Sequence, residues 1–446
     1  MKPTQALERL HAGERQGLGA PIRQVLKARP QTRAALLLAW ACCSLFGVGS
    51  ARAGEIEVLH WWTSGGEARA AQALKASMQA KGHSWKDFAV AGSGGDSAIT
   101  VLKSRVVSGN APAAAQIKGP SLQAWAHEGV LASINDVAKT ERWDELLPKV
   151  VSEQMKYRGD YIAVPVNVHR VNWLWVNPVV FARTGAKVPS NWDEFFAAAE
   201  ILKKAGVIAL AHGGQSWQDL TLFETVALGV GGPEFYQQAL VQRDLEALSG
   251  PTMEKVLSTY KRIKPYTDKN SPGRDWNLAT AMVIRGEAGM QLMGDWAKGE
   301  FLAAGSLPGK GFICAPAPST SKAFIYVIDS FAMFKLKNPA NTAAQKDLAS
   351  AVMSPEFQEV FNLNKGSIPV RMGMKMDKFD DCAKASTQEF TAAAKSAALL
   401  PSVANGMAVT SPIEWALKDA ISQFWNSDKM SNAEAIKRIV AAAKSR

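Results

Sequence analysis

Glu55-Ile56-Glu57-Val58-Leu59-His60-Trp61-Trp62-Thr63-Ser64-Gly65-Gly66-Glu67 decides how this chain is read. Its first six residues alternate in polarity and predict a strand, because successive strand side chains point to opposite faces. Two tryptophans then stand at the strand's carboxyl end, and a Ser/Gly turn leads into a helix predicted over Glu67 to Gln79. Trp85 to Val90 predicts a second strand. The turn Gly92 to Ser97 predicts a second helix, over Ala98 to Val107, and Ala114-Gln116-Ile117 a third strand. This alternation argues for an α/β lobe with a mainly parallel sheet, in which ligands sit at the carboxyl ends of the strands. His60-Trp61-Trp62 and Gln116-Ile117-Lys118 hold that position.

Further on, Pro165 interrupts the extended run Tyr161 to Asn167, which reads as a strand leaving one sheet for another. Asn364-Lys365-Gly366-Ser367-Ile368-Pro369-Val370 is a second turn-then-extended segment of that kind. Asn191 caps a helix whose first turn holds Asp193 and Glu194. The stretch 197–310 is helix-rich, with Arg285 to Trp296 reading as helix end, buried strand, then loop. Ala323 to Lys335 is a strong strand, and Ala383 to Arg446 reads as helices around Pro401 to Gly406.

The 446 residues suggest more than one domain-sized unit. The net charge of +11 is concentrated at the amino end, where the first 53 residues hold eight Lys/Arg and two acids. The remainder carries about +5 without a dense basic block, which argues against a nucleic-acid surface. After Arg29 and Arg33 come the apolar run Ala34 to Gly49 and the small-x-small site Ala51-Arg52-Ala53, the three parts of a secretory signal. The run is short for a membrane span, so cleavage before Gly54 and export are expected. Cys42 and Cys43 would leave with that segment. Cys314 and Cys382 remain, as a disulfide in an oxidising compartment or as two buried thiols.

Fourteen tryptophans stand against six tyrosines. An indole face suits the apolar C–H patch of a pyranose, although a core-packing role explains Trp61-Trp62 equally well. Consecutive strand residues face opposite ways, so one of the pair would be core and the other ligand-facing unless the strand has ended. Glu67, Lys118, Asp329 and Lys365 are charges at predicted strand ends or turns, and each alone reads as a solvated surface charge. Asp329 says most, because it interrupts the apolar strand Phe324 to Phe334 and would need several partners if buried. Gly92-x-Gly94 is a poor dinucleotide fingerprint, with Ser97 where a third glycine belongs. No G-x-S-x-G, His-Glu-x-x-His or P-loop is present, and the six histidines show no metal-ligand spacing.

Five blocks, His60 to Glu67, Gln116 to Pro120, Val164 to Arg170, Met293-Gly294-Asp295-Trp296 and Asn364 to Val370, resemble the glucose/mannose-binding branch of the periplasmic sugar-binding proteins of ABC transporters, within the bacterial extracellular solute-binding proteins of family 1. Ala211 to Trp217 fits as well. The resemblance implies a type II two-lobe fold, each lobe a mainly parallel sheet flanked by helices, joined by hinge strands. The lobes would be 54–165 with 322–365, and 166–321 with 366–446. It implies a monomeric, non-enzymatic periplasmic receptor without a cofactor, which hands one monosaccharide, glucose or mannose, to an inner-membrane permease. Trp61 and Trp62 would wall the sugar, Glu67 would accept a hydroxyl, and Gln116 and Lys118 would bond others. Trp296 and Trp276 would present indoles from the other lobe, and Asp329 and Lys365 would complete the shell. Asn405 stands where the family usually offers a histidine. Two other functions share these residues: an exported carbohydrate-processing enzyme, and a sensor presenting bound sugar to a chemoreceptor.

Overall fold

A computed structural model describes residues 53–445. The signal segment, with Cys42, Cys43 and the Ala51-Arg52 part of the cleavage site, lies outside the described residues. Ten strands build two sheets: β1 (Glu55–His60), β2 (Ser84–Ala89), β3 (Ala114–Gln116), β4 (Ala163–Arg170), β5 (Trp173–Val176), β6 (Ile208–Leu210), β7 (Ala288–Leu292), β8 (Ile313–Pro316), β9 (Phe324–Met333) and β10 (Leu399–Pro401). Eight helices frame the site: α1 (Gly65–Ala80), α2 (Asp96–Val107), α3 (Ser216–Tyr236), α4 (Trp276–Ile284), α5 (Trp296–Ala303), α6 (Pro355–Lys365), α7 (Asp381–Ala393) and α8 (Ser411–Asn426).

The first sheet runs β10-β9-β3-β1-β2, with β4 also paired to β9; the second runs β8-β5-β7-β6. The fold is the two-lobe α/β arrangement. Parallel pairing holds where helices return the chain: α1 carries it from β1 to β2, and α2 carries it from β2 to β3 on the other edge of β1. The sheets as wholes are mixed, because β9 runs antiparallel to β3 and β4, and β5 runs antiparallel to β7 and β8. Ile56 and Val58 are buried on one face of β1, as their alternation predicts, and α1 and α6 pack beside that sheet.

The pairing of β4 with β9 does most to place the site. Its register slips between Asp329, opposite Asn167, and Ser330, opposite Pro165, so Val166 is left as an extra residue. Pro165 has no N–H to give to a ladder, and a bulge tolerates that loss while re-aiming nearby side chains. Asp329 stands at this bulge. Beyond it, β4 leads into β5 of the second sheet, the crossing that Pro165 suggests.

At two places the sequence reading falls short. Asp295-Trp296 opens helix α5 rather than a loop, and residues 399–401 form a strand that pairs with β9. The two halves meet through α5, which follows β7 yet packs on α1 and α6. Gly66 N donates to Glu300 Oε1 at 2.8 Å. A Cβ on Gly66 would lie 2.7 Å from the Gly299 carbonyl carbon, and one on Gly299 would lie 2.8 Å from the Asn364 carbonyl oxygen, so glycine at 66 lets α1 meet α5 and glycine at 299 lets α5 meet the end of α6. Trp415 Nε1 and Lys418 Nζ of α8 both reach Asp96 Oδ1, at 3.0 and 3.2 Å. Cys314 on β8 is bonded to Cys382 on α7, with a Cα–Cα separation of 6.1 Å.

Candidate functional site

A cavity of about 370 Å³ lies between the halves. That is within the range of about 300–1,000 Å³ common for small-molecule sites. Its lining includes nine of the ten residues singled out from sequence: Trp61, Trp62, Glu67, Lys118, Trp276, Trp296, Asp329, Lys365 and Asn405. Gln116 is fully buried behind the wall. Its Oε1 accepts from Trp61 N at 3.3 Å and its Nε2 donates to Asp329 Oδ1 at 3.1 Å, so it holds two lining residues.

The two adjacent tryptophans face different surroundings although β1 has already ended at His60. Trp62 is only 2% exposed and packs its ring against Phe331, Phe361 and His60, at centroid distances of 5.4, 5.0 and 5.6 Å. Its backbone N–H donates to His60 Nδ1 at 3.2 Å, which leaves Nε2 as the proton carrier toward Asp87. Burial pushes the His60 pKa down. Trp61 is half-buried and lies against Gly95, whose φ of 107° and lack of a side chain allow the approach. A Cβ there would fall 2.9 Å from the indole. Lys118 Nζ stands 5.1 Å from the Trp61 ring centroid, within cation–π reach.

On the other side, Trp296 sits over Gly294, where a Cβ would come within 2.3 Å of its ring. The Trp296 indole N–H is buried with no protein acceptor. Trp217 and Trp276 add two more indoles, and the Trp217 N–H donates to Gln215 Oε1 at 2.8 Å.

Glu67, Asp329 and Lys365 are buried and paired. Glu67 Oε1 accepts from Lys365 Nζ at 2.8 Å, while its Oε2 faces the backbone N–H groups of Thr63 and Ser64 at 3.3 and 3.4 Å. Much of its bonding capacity therefore closes the start of α1. Gly366, at φ 89°, ends α6 directly after Lys365 and turns the chain toward β4. Asp329 is 4% exposed and accepts from Gln116 and from His169 Nε2, the latter at 3.2 Å. Burial alone would raise the Asp329 pKa, but the His169 hydrogen bond and charge, with Lys118 and Lys365, hold it well below the usual carboxylate range. His169 bridges Asp329 and Asp295. Burial pulls its pKa down, yet the Asp295 carboxylate and its hydrogen bonds outweigh this and leave it raised. Lys118 has no carboxylate within bonding distance among the described residues, and burial lowers its pKa.

Sequence reasoning passed over His169, Gln215, Trp217, Asp275 and Asn277, which also line the cavity. His169 and Trp217 lie inside blocks already recognised. Asp275 immediately precedes Trp276 and accepts from Gln215 at 2.5 Å, a contact joining segments sixty residues apart. No local pattern announces such a pair.

The arrangement can hold a small, neutral, polyhydroxylated ligand between indole faces, with carboxylates accepting and ammonium groups donating. It defines a binding cleft. The sequence profile of the bacterial extracellular solute-binding proteins matches residues 67–359, and the chain belongs to that family. It is accordingly a binding protein and not an enzyme. It is 44% identical over 406 residues to a "probable sugar-binding periplasmic protein" of Brucella suis, spanning 90% of this chain and 96% of that one. It is 34% identical to an uncharacterized ABC transporter extracellular-binding protein of Pyrococcus horikoshii, over 85% of each chain. A solved chitin oligosaccharide binding protein shares the fold, with a TM-score of 0.73 at 18% identity over 88% of this chain and 98% of the other. A maltose-bound MalE3 of T. maritima does so with a TM-score of 0.71 at 17% identity, over 88% and 99%.

Proposed function

We propose that this protein captures a neutral monosaccharide, glucose or mannose, in the periplasm and delivers it to an inner-membrane ABC permease as a monomer. The observation that carries this reading is the cavity itself: five indoles from both halves surround Glu67 paired with Lys365, Asp329 held by His169, and a Lys118 without a carboxylate partner among the described residues. Three lining carboxylates, Glu67, Asp275 and Asp329, stand beside Lys118, Lys365 and a His169 whose pKa is raised, so neither sign dominates and a neutral ligand is favoured over a strongly charged one. The names of the relatives point the same way, and no helix among the described residues is long and apolar enough to cross a membrane.

The residues proposed to touch the sugar are Trp61, Lys118, Asp329, Trp276, Trp296 and Asn405, with Trp62, Glu67 and Lys365 completing the wall and Gln116 behind it. The lobes are proposed to be 54–165 with 322–365, and 166–321 with 366–446, turning about β4 and β9. Closure would be driven by contacts that exist only in the closed form, such as those between Asp96 and α8. Calorimetry with glucose, mannose, galactose and disaccharides tests the reading. One-to-one binding of a hexose supports it, and absence of heat and of thermal shift with every sugar defeats it.

A further inference from the structure

The loop Pro401-Ser402-Val403-Ala404-Asn405 brings Asn405 to the cavity, and one fully buried carboxylate holds that loop. Glu224, on α3, accepts from Ser402 Oγ at 2.6 Å through Oε1. Its Oε2 accepts from Val403 N at 2.7 Å, Ala404 N at 3.2 Å and the Tyr236 hydroxyl at 2.9 Å. Ser402 Oγ in turn receives Asn405 N at 3.2 Å and Asn405 Nδ2 at 3.0 Å.

The direction of this chain follows from proton counting. A hydroxyl has one proton and two lone pairs. With Glu224 ionised, the Ser402 proton must go to the carboxylate, so its oxygen can only accept, and Asn405 must present its NH2 group to it. The Asn405 carbonyl oxygen then has no protein donor among the described residues and is left for the ligand. A proton on Glu224 Oε1 reverses the order. Glu224 then donates to Ser402 Oγ, the Ser402 proton turns toward Asn405, and the amide rotates to offer its oxygen to Ser402 and its NH2 to the cavity.

We infer that Glu224 is a positioning residue that sets, through Ser402, which end of the Asn405 amide faces the ligand, and so ties ligand affinity to pH. The inference rests on the proposed placement of Asn405 in the sugar site. Burial pushes the Glu224 pKa up to about 7, which brings the reversal into the neutral range. Tyr236 is the titratable group facing it from its own helix, and beyond lies Tyr326 of β9, whose hydroxyl is engaged by Gln154 at 2.9 Å. From α8, Lys418 pairs with Asp96 and Glu414 rather than with Glu224, and Ser422 donates to Asp219. From the helix Pro251–Ile263, Tyr260 donates to the Asp219 carbonyl. Glu414, also raised by burial, lies beside Gly406 and is the competing titratable group. Lys118 already offers the ligand a donor in the same lining, so the carbonyl-out state supplies the complementary acceptor for a neighbouring hydroxyl. Affinity should therefore be higher on the alkaline side.

The experiment follows glucose binding by calorimetry at pH 5.5, 7 and 8.5, and the Asn405 side-chain amide by NMR in the ligand-free protein, assigned by its loss in Asn405→Asp. The expected wild-type result is about fivefold to tenfold weaker binding at pH 5.5 than at pH 8.5, the scale of one hydrogen bond. The amide resonance should shift with a midpoint near 7. Glu224→Gln places an NH2 where the proton would sit. It should bind at the weak acid-side level at every pH, with a flat amide resonance. Ser402→Ala should also flatten the profile, whereas Glu414→Gln should keep its midpoint. A wild-type-like profile in Glu224→Gln, or flattening by Glu414→Gln alone, would overturn the inference. If no sugar binds but the amide still titrates only with Glu224 intact, the relay stands and the sugar reading fails. Unchanged glucose affinity in Asn405→Ala would remove both the residue and the relay from the site.

Discussion

Replacing each tryptophan of the pair by alanine should separate binding from stability. Trp61 has one indole face against Gly95 and contributes to the cavity lining, so a bound pyranose would cover much of the other face. Half of a Trp side chain is roughly 80–100 Å². At about 25 cal/mol per Å² this area is worth roughly 2–2.5 kcal/mol, or 30–70-fold in affinity. Trp61→Ala should therefore weaken glucose binding by that factor in calorimetry, and its melting temperature should fall by only a few degrees. Trp62 is wedged among Phe331, Phe361 and His60. Emptying that space should cost about 3–5 kcal/mol of folding stability, readable in a urea titration at pH 7. A Trp61→Ala protein that binds normally, or a Trp62→Ala protein of undiminished stability, would refute the division of roles.

Asp329→Ala should destabilise the fold by about 3–5 kcal/mol in chemical unfolding, because it leaves His169 and Lys118 facing an uncompensated pocket, whereas Asp329→Asn should recover part of that loss. Melting temperature should depend on pH on both sides. The lowered Asp329 pKa gives stability that is complete above its ordinary 3.8 and lost as pH falls below it. The raised His169 pKa gives stability that is complete below 6.5 and lost as pH rises through the elevated value. Glu224, raised from 4.5 to about 7, acts in the same direction as His169, so Glu224→Gln should flatten part of the alkaline decline seen by scanning calorimetry. Reduction of Cys314–Cys382, which closes a separation of 68 residues, should cost about 4 kcal/mol by the loop-entropy estimate, seen as a lower urea midpoint in the presence of reductant.

Much of the fold was legible because its signals are local. The alternation of Glu55 to His60, the Asn191 cap and the long, largely apolar run from Phe324 to Met333 each specify an element without help from distant residues. The start of α5 at Trp296 was missed because Met293-Gly294-Asp295 carries an apolar strand into the helix with glycine at the junction, a pattern equally suited to a loop. The antiparallel half of the pairing was missed for a different reason: β9 joins its neighbours over more than 150 residues of sequence, and strand direction is not written in composition.

At the site, residue types were readable and their partners were not. Asp329 stood out by interrupting an apolar strand, yet nothing in its neighbourhood names His169 or Gln116 as the groups that keep it charged. Glu67 reads as a free acceptor in sequence and in three dimensions is engaged by Lys365 and the start of α1. Glu224 gave no signal at all, since a single acid within a helix ordinarily faces solvent.

The most direct test of the central claim is titration of the protein with glucose, mannose, galactose, maltose and a uronic acid in one calorimetric series at fixed pH. One-to-one binding of a neutral hexose is expected, with weaker or absent binding of the uronic acid and loss of most of the hexose affinity in Trp61→Ala. Tightest binding of the uronic acid, or no heat and no thermal shift with any of the sugars, would contradict it.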